Sequence, residues 1–340
     1  MIPRNIVTPA EALIKVRERR APRVRPAAGM SGWIKWSLID RHGRERAGGE
    51  QHNLILDTFL EYLPVWSTGA ASTFEGLAFS HFAVGTGSTA PDVTNTALDA
   101  EVARFTTQIS VSRTRTENGV YESVVERELG FASGNGNLTE WGIAPSASDD
   151  LIVRELFRDE VGDPVTVTKT SDFKLRIKYT FILTLTPTDL AAGSFVIDGI
   201  GTINGEYRWR GAGDSDQFDR RDFLQLVGGG TGQQVIGPAM GTSTLNGYSD
   251  AIPETGSVGV GTLKAYAAGS HERVMESATF STAQGNMNPV RHIGTGQWAG
   301  VTWARRFGFS FFVDDVDQFE KDDLHILEFT DFVTFSWGRA

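Results

Sequence analysis

Hydrophobic and polar positions alternate with a period of two along much of the chain, most clearly over residues 173–185. Phe173, Leu175, Ile177, Tyr179, Phe181, Leu183 and Leu185 fall on one side; Lys174, Arg176, Lys178, Thr180, Ile182, Thr184 and Thr186 fall on the other. This pattern predicts an antiparallel strand with one face on a core and one in water, because a doubly covered parallel strand is apolar on both faces. The same reading predicts strands at 33–40, 107–117, 120–131, 138–143 and 151–157, and around Tyr207-Arg208-Trp209. A strand pair is expected at 257–266 and 271–280, and a last strand at 324–337, where Asp331 interrupts an apolar face of Leu327, Phe329, Val333, Phe335 and Trp337. Arg41-His42-Gly43 reads as a turn, and Asn118-Gly119 carries the strongest hairpin signal.

Helical spacing is rare. Residues 8–20 carry a helix-start signature: Thr8 as N-cap, Pro9 at the first helical position, Glu11 in a capping-box place, and arginines at the far end before Pro22 and Pro26. A short helix capped by Asn53 is predicted with Leu56, Phe59, Leu60 and Leu63 on one face, ahead of Pro64. A short helical or irregular piece is expected over 97–105, after a glycine-rich loop.

The chain also reads as written twice, about 150 residues apart. Glu122, Val124, Val125 and Glu126 match Glu272, Val274, Met275 and Glu276. Phe131 stands before Gly136-Asn137-Leu138, as Phe280 stands before Gly285-Asn286-Met287. The spacing continues through Ile143 and Ile293, Phe157 and Phe307, Asp172 and Asp322, Tyr179 and Phe329, and Thr184 and Thr334. The predicted class is mainly β: two tandem, related antiparallel sandwich or barrel-like domains at 31–187 and 188–340, with a short N-terminal helical arm over 1–30.

Composition sharpens this picture. With 340 residues, each half is long enough for its own core. The 38 glycines fit many turns between short strands. There are no cysteines, which excludes disulfides and thiolate metal sites and fits assembly in a reducing cytoplasm. No apolar run is long enough to span a membrane as a helix, and the first residues lack the apolar stretch of a secretory signal. Net charge is -10 but uneven. Residues 1–30 hold seven basic and two acidic side chains, a net of +5, so the remainder carries -15. An acidic body disfavours nucleic-acid binding. Arg17, Arg19, Arg20, Arg23 and Arg25 are the expected docking residues of a basic arm for an acidic partner surface.

No catalytic signature stands in the sequence. Gly85-Thr86-Gly87, Gly228–Gly232 and Gly259–Lys264 lack phosphate-loop or dinucleotide spacing and read as tight turns needing positive φ. His42, His52, His81, His271, His292 and His325 form no metal-binding spacing and are expected on surfaces or strand faces. No nucleophile elbow appears. Asp214, Asp216, Asp219 and Asp222, and separately Asp314, Asp315 and Asp317, make two acidic loops without a calcium-loop spacing. Trp33, Trp36, Trp209, Trp298, Trp303 and Trp337 suit core packing, subunit interfaces or stacking on sugars. The expectation is no catalytic residue, no cofactor and no bound metal.

One stretch resembles a known family. Phe82–Ala90 (FAVGTGSTA), followed by Asn95-Thr96-Ala97-Leu98 and Glu101, is similar to a theme of bacteriophage virion structural proteins, in which a G-T-G-x-T-x-P loop leads into T-A-L-x-x-E. Leu138-Thr139-Glu140-Trp141-Gly142-Ile143 is similar to the L-T-E-x-G-[IL] that follows it. The resemblance covers roughly residues 78–187, and the second half departs from it, with Pro289-Val290-Arg291-His292-Ile293 in place of the second motif. It implies a tail, baseplate or tail-surrounding component, assembled in the host cytoplasm as a ring or trimer. Its partners would be copies of itself and other virion proteins, with no specific nucleic acid and no membrane. The alternative is a carbohydrate- or receptor-binding tail protein that contacts a host surface glycan through Trp298 or Trp303; the third reading is a hydrolase of surface sugars.

Overall fold

The computed structural model describes residues 13–16, 27–65, 78–159, 161–197, 201–210, 227, 236–242, 257–258, 260–284, 286–297 and 308–340. It is mainly β, with one α-helix among the described residues, and divides into two compact units. One comprises residues 29–184 with 338–340; the other comprises residues 1–28 with 185–337.

The first described strand is β1 (Leu13–Val16), and the first unit's elements are β2 (Ala27–Asp40), β3 (Glu45–His52), β4 (Leu54–Ile55), α1 (Asp57–Val65), β5 (His81–Gly85), β6 (Glu101–Phe105), β7 (Gln108–Glu117), β8 (Val120–Leu129), β9 (Gly136–Leu138), β10 (Glu140–Ala144), β11 (Val153–Leu156), β12 (Val167–Lys169) and β13 (Phe173–Thr186). In this unit β3, β2, β13, β8 and β7 pair in that order, and a second sheet runs β4-β11-β10-β5-β6. β9 and β12 form a small ladder of their own.

β13 alternates as its sequence demands. Leu175, Ile177, Tyr179, Phe181, Leu183 and Leu185 are all buried, whereas Lys178 and Thr186 are exposed. Phe59 of α1 packs edge-on against Phe181, and Phe79 against Tyr179, with ring centroids 5.5 and 5.0 Å apart. The helix thus closes one side of the core through Phe59, Leu60 and Leu63. It starts at Asp57 instead of after Asn53: the Asn53 amide donates to Gly32 O, and β4 intervenes before the first turn. Residues 101–105 are a strand and not a helical piece, because pairing with β5 sets Phe105 opposite Phe82. The β2–β3 turn is capped by Asp40, whose Oδ1 accepts from the amides of His42 and Arg44 while Gly43 takes a φ of 77°. Those amides, first that of Arg44, hold the Asp40 carboxyl far below the usual carboxylate range.

The other unit contains β14 (Ala191–Ile197), β15 (Gly201–Arg210), β16 (Ile236–Gly241), β17 (Ser257–Val258), β18 (Val260–Leu263), β19 (Glu272–Phe280), β20 (Met287–Val290), β21 (His292–Gln297), β22 (Gly308–Val313), β23 (Phe319–Lys321) and β24 (Ile326–Arg339). Its sheets run β14-β15-β22-β21-β16-β17 and β18-β19-β24, with β20 paired to β23. Its core includes Trp209 against Phe335 and Phe195 against Phe329, at centroid distances of 5.4 and 5.7 Å. β1 adds to β24 in parallel, Leu13 opposite Ile326 through Val16 opposite Phe329. This corrects the helix expected over 8–20 at these four residues: a ladder with β24 takes the place of bonds inside the segment. The rest of that arm, including Arg17, Arg19, Arg20, Arg23 and Arg25, lies outside the described residues.

Candidate functional site

The two sequence motifs meet in space. Antiparallel pairing of β10 with β5 sets Glu140 opposite Gly85, and pairing with β11 sets Gly142 opposite Arg154. Glu140 and Arg154 are 0% and 1% exposed, which fixes what they can do. Glu140 Oε1 accepts from the amides of Gly87 and Ala100 at 3.0 and 2.9 Å. Its Oε2 accepts from the Asp99 amide at 3.1 Å and from Arg154 Nε and Nη2 at 3.3 and 3.0 Å. Arg154 also donates to Asn95 Oδ1 at 2.6 Å and to Thr89 O at 3.2 Å, and pairs with Asp99 Oδ2 at 3.0 Å. Thr139 Oγ1 donates to Gly87 O at 2.6 Å. Thr89 first, then the Arg154 guanidinium, holds the Asp99 carboxyl below its ordinary range.

Gly85 and Gly87 are needed here for a reason other than the one read from sequence. Neither takes a positive φ. A Cβ on Gly85 would stand 2.5 Å from Ala100 O and 2.6 Å from Glu140 Oε1, and one on Gly87 would meet Glu140 Oε1 and, at 2.5 Å, the Asp99 Cβ. The glycines leave room for a buried carboxylate. Each oxygen of that carboxylate is engaged by several donors. Chemically the site is a staple: it holds the 86–100 loop against the sheet and presents no free base or nucleophile to a substrate.

A second polar surface lies on the outer face of the β3-β2-β13-β8-β7 sheet. Lys174 Nζ pairs with Glu128 Oε1 at 2.7 Å, and Arg176 with Glu128 Oε2 and Glu126 Oε1 at 3.0 and 3.5 Å. Ser110 Oγ donates to Glu126 Oε2 at 3.0 Å. Lys174 and Arg176, with burial opposing them, hold the Glu128 carboxyl below its usual range. The face encloses a concavity of about 390 Å³. A wider hollow of about 590 Å³ lies between residues 50–54 and 155–162.

The other candidates fare unequally. Asp317 Oδ2 accepts from the amide and side chain of Asn204, and Asp315 Oδ1 from Gln318. The 214–222 loop, the Gly228–Gly232 loop, Trp298 and Trp303 lie outside the described residues. Among the described residues no group of three or more His, Asp or Glu side chains is placed to hold a metal. Trp36, Trp141, Trp209 and Trp337 are buried and withdrawn from any sugar-stacking role. His292, expected on a surface or a strand face, stands on strand β21 and is 2% exposed, because it starts that strand opposite Gly241, where no side chain fills the space. Burial, and then the Arg210 cation, pulls its imidazole down to about 4. No family model matches the chain, and neither does any curated protein or solved structure.

Proposed function

We propose that the chain is a non-enzymatic structural protein of a bacteriophage virion, a tail, baseplate or tail-surrounding component that assembles as a ring or trimer from two tandem, related β-sandwich domains. The observation that carries this reading is the Glu140–Arg154 network. The residues of the phage-like motifs are engaged in fixing a loop on a sheet, which is a scaffolding role.

The duplication is supported by matched detail. β4-β11-β10-β5-β6 in one unit has the strand order of β15-β22-β21-β16-β17 in the other. The Thr139 amide donates to Gly85 O as the Arg291 amide does to Gly241 O; the Phe157 amide donates to Thr139 O as that of Val313 does to Arg291 O. Lys169 Nζ reaches Asn135 Oδ1 at 2.8 Å beside the β9–β12 ladder, and Lys321 Nζ reaches Asn286 Oδ1 at 2.8 Å beside β20–β23. On this reading the 150-residue spacing holds for Glu122–Val125 against Glu272–Met275. Past the bulge at Met275–Ser277 it becomes 152, so Leu138 corresponds to Val290 and Glu140 to His292. The pair Ile143 with Ile293 is then two residues out of step, and Tyr179, opposite Val125, corresponds to Val333, opposite Met275, rather than to Phe329.

Two measurements test the proposal. Peptide mass spectrometry of purified particles of the encoding phage is expected to find the chain in stoichiometric amount; its absence overturns the virion assignment. Native mass measurement is expected to give a closed oligomer, and a strict monomer at high concentration and low salt would remove the ring.

A further inference from the structure

The concavity on the five-stranded sheet has a composition at odds with the rest of the acidic chain. Its lining includes the apolar side chains of Ile39 and Val124, the cations Lys35, Arg176 and Lys178, and the hydroxyls of Ser37, Ser110 and Ser112. Arg176 is engaged by Glu126 and Glu128. Lys35 and Lys178 take part in none of the ion pairs of this face, and both are exposed. Glu45 is the one other carboxylate beside Glu126 in the lining. The surface is therefore a mainly polar concavity that offers two apolar side chains, Ile39 and Val124, beside two ammonium groups outside the ion pairs of this face.

The chain carries a shape of opposite character. Between β22 and β23 the turn Asp314-Asp315-Val316-Asp317 projects a valine that is 90% exposed, flanked by exposed Asp314 and Asp315. Val316 is the most exposed of the five exposed large hydrophobic residues among those described, and its neighbours Asp314 and Asp315 give the turn tip a negative charge. Its exposure leaves the turn open to a second molecule.

We propose that the sheet concavity is the socket for the Asp314–Asp317 turn of a second copy of this chain, with Val316 on Ile39 and Val124 and the aspartates beside Lys35 and Lys178. The proposal rests on the assembly reading above and names its contact. Socket and plug are different surfaces, so the interface is heterologous: repeated from copy to copy it closes a ring where the rotation permits and otherwise extends a filament. About 390 Å³ accommodates a few side chains, so each contact is weak and salt-sensitive, and ring closure supplies the cooperativity.

The test is a charge swap in the full-length protein, read by sedimentation velocity over about 10–500 µM, the range suited to a contact this small. Lys35→Glu with Lys178→Glu, and separately Asp314→Lys with Asp315→Lys, are each expected to weaken self-association about tenfold or more, since attraction becomes repulsion. All four sites are exposed, so each variant is expected to unfold at the wild-type midpoint. An equimolar mixture of the two variants restores opposite charges across the contact and is expected to recover association to within about threefold of wild type. Unchanged association in either variant overturns the proposal, as does failure of the mixture to recover. Loss with the lysine variant alone also overturns it, and would point to a different anionic occupant. A wild type that stays monomeric throughout overturns the contact, while the presence of the chain in particles is decided independently by peptide mass spectrometry.

Discussion

Glu140 and Gly87 stand 53 residues apart in the chain and 3.0 Å apart at the hydrogen bond that joins them. In sequence each is a letter in a short motif; in the fold they explain one another, because the carboxylate occupies the volume a Cβ on Gly87 would need. Glu140→Ala strands the buried Arg154 guanidinium without its main counter-charge. The expected loss is about 3–5 kcal/mol of stability in urea titration, the range for removing one partner of a buried pair. A loss near zero would show that the pair contributes little. His292 has the same pH dependence as a paired acid, with burial as the cause in place of an ion pair. Its folded value of about 4 lies below the 6.5 of an ordinary histidine, so the unfolded chain takes up the proton first. Its contribution is complete above pH 6.5 and is lost as pH falls towards 4, amounting to about 3 kcal/mol at about 1.4 kcal/mol per unit. Unfolding titrations from neutral to acid are expected to show His292→Gln losing less stability on acidification than wild type by about that amount; parallel curves would refute it.

Among elements, the β13 period survives folding almost unchanged because the alternate residues from Leu175 to Leu185 are buried on one face, where Tyr179 meets Phe79 and Phe181 meets Phe59. The β7–β8 hairpin also follows its turn: Gly119 takes a φ of 77°, which its missing side chain permits at no steric cost. Where local signal and pairing disagree, pairing prevails. Leu13–Val16 is a strand on β24 despite a helix cap at Thr8, and Glu101–Phe105 is a strand on β5. A first turn of helix is costly to nucleate, whereas an existing strand edge offers each added residue its ladder bonds. The two small ladders give a matched test. Lys169→Met orphans Asn135 Oδ1 and Phe131 O, and Lys321→Met orphans Asn286 Oδ1 and Ser281 O. Each is expected to cost about 1–3 kcal/mol and to speed amide exchange mainly in its own ladder. Markedly unequal costs would argue against equivalent roles in a duplicated fold.

At the scale of the whole molecule, the last residues return to the unit that holds residues 29–184. The Ala340 amide donates to Met30 O at 2.9 Å. Arg339 Nε donates to Ile55 O at 2.6 Å, and its Nη2 pairs with Asp57 Oδ1 at the start of α1. Arg339→Ala is therefore expected to lower the stability of the 29–184 unit by about 1–2 kcal/mol, read by hydrogen exchange in α1 and β4. Unaltered exchange there would mean the arginine is incidental.

What the sequence by itself determined is local and periodic: the alternation of β13, the turns at Gly43 and Gly119, and the buried stripe of Phe59, Leu60 and Leu63. These depend on side-chain spacing and on φ, and both are written in neighbouring residues. The tertiary structure alone decided which strands pair, that Glu140 lies beneath the Gly85–Gly87 loop, and that His292 leaves the surface. Each of these depends on which distant backbone supplies the opposing hydrogen bonds and on how much space it leaves, and no window of consecutive residues contains that information.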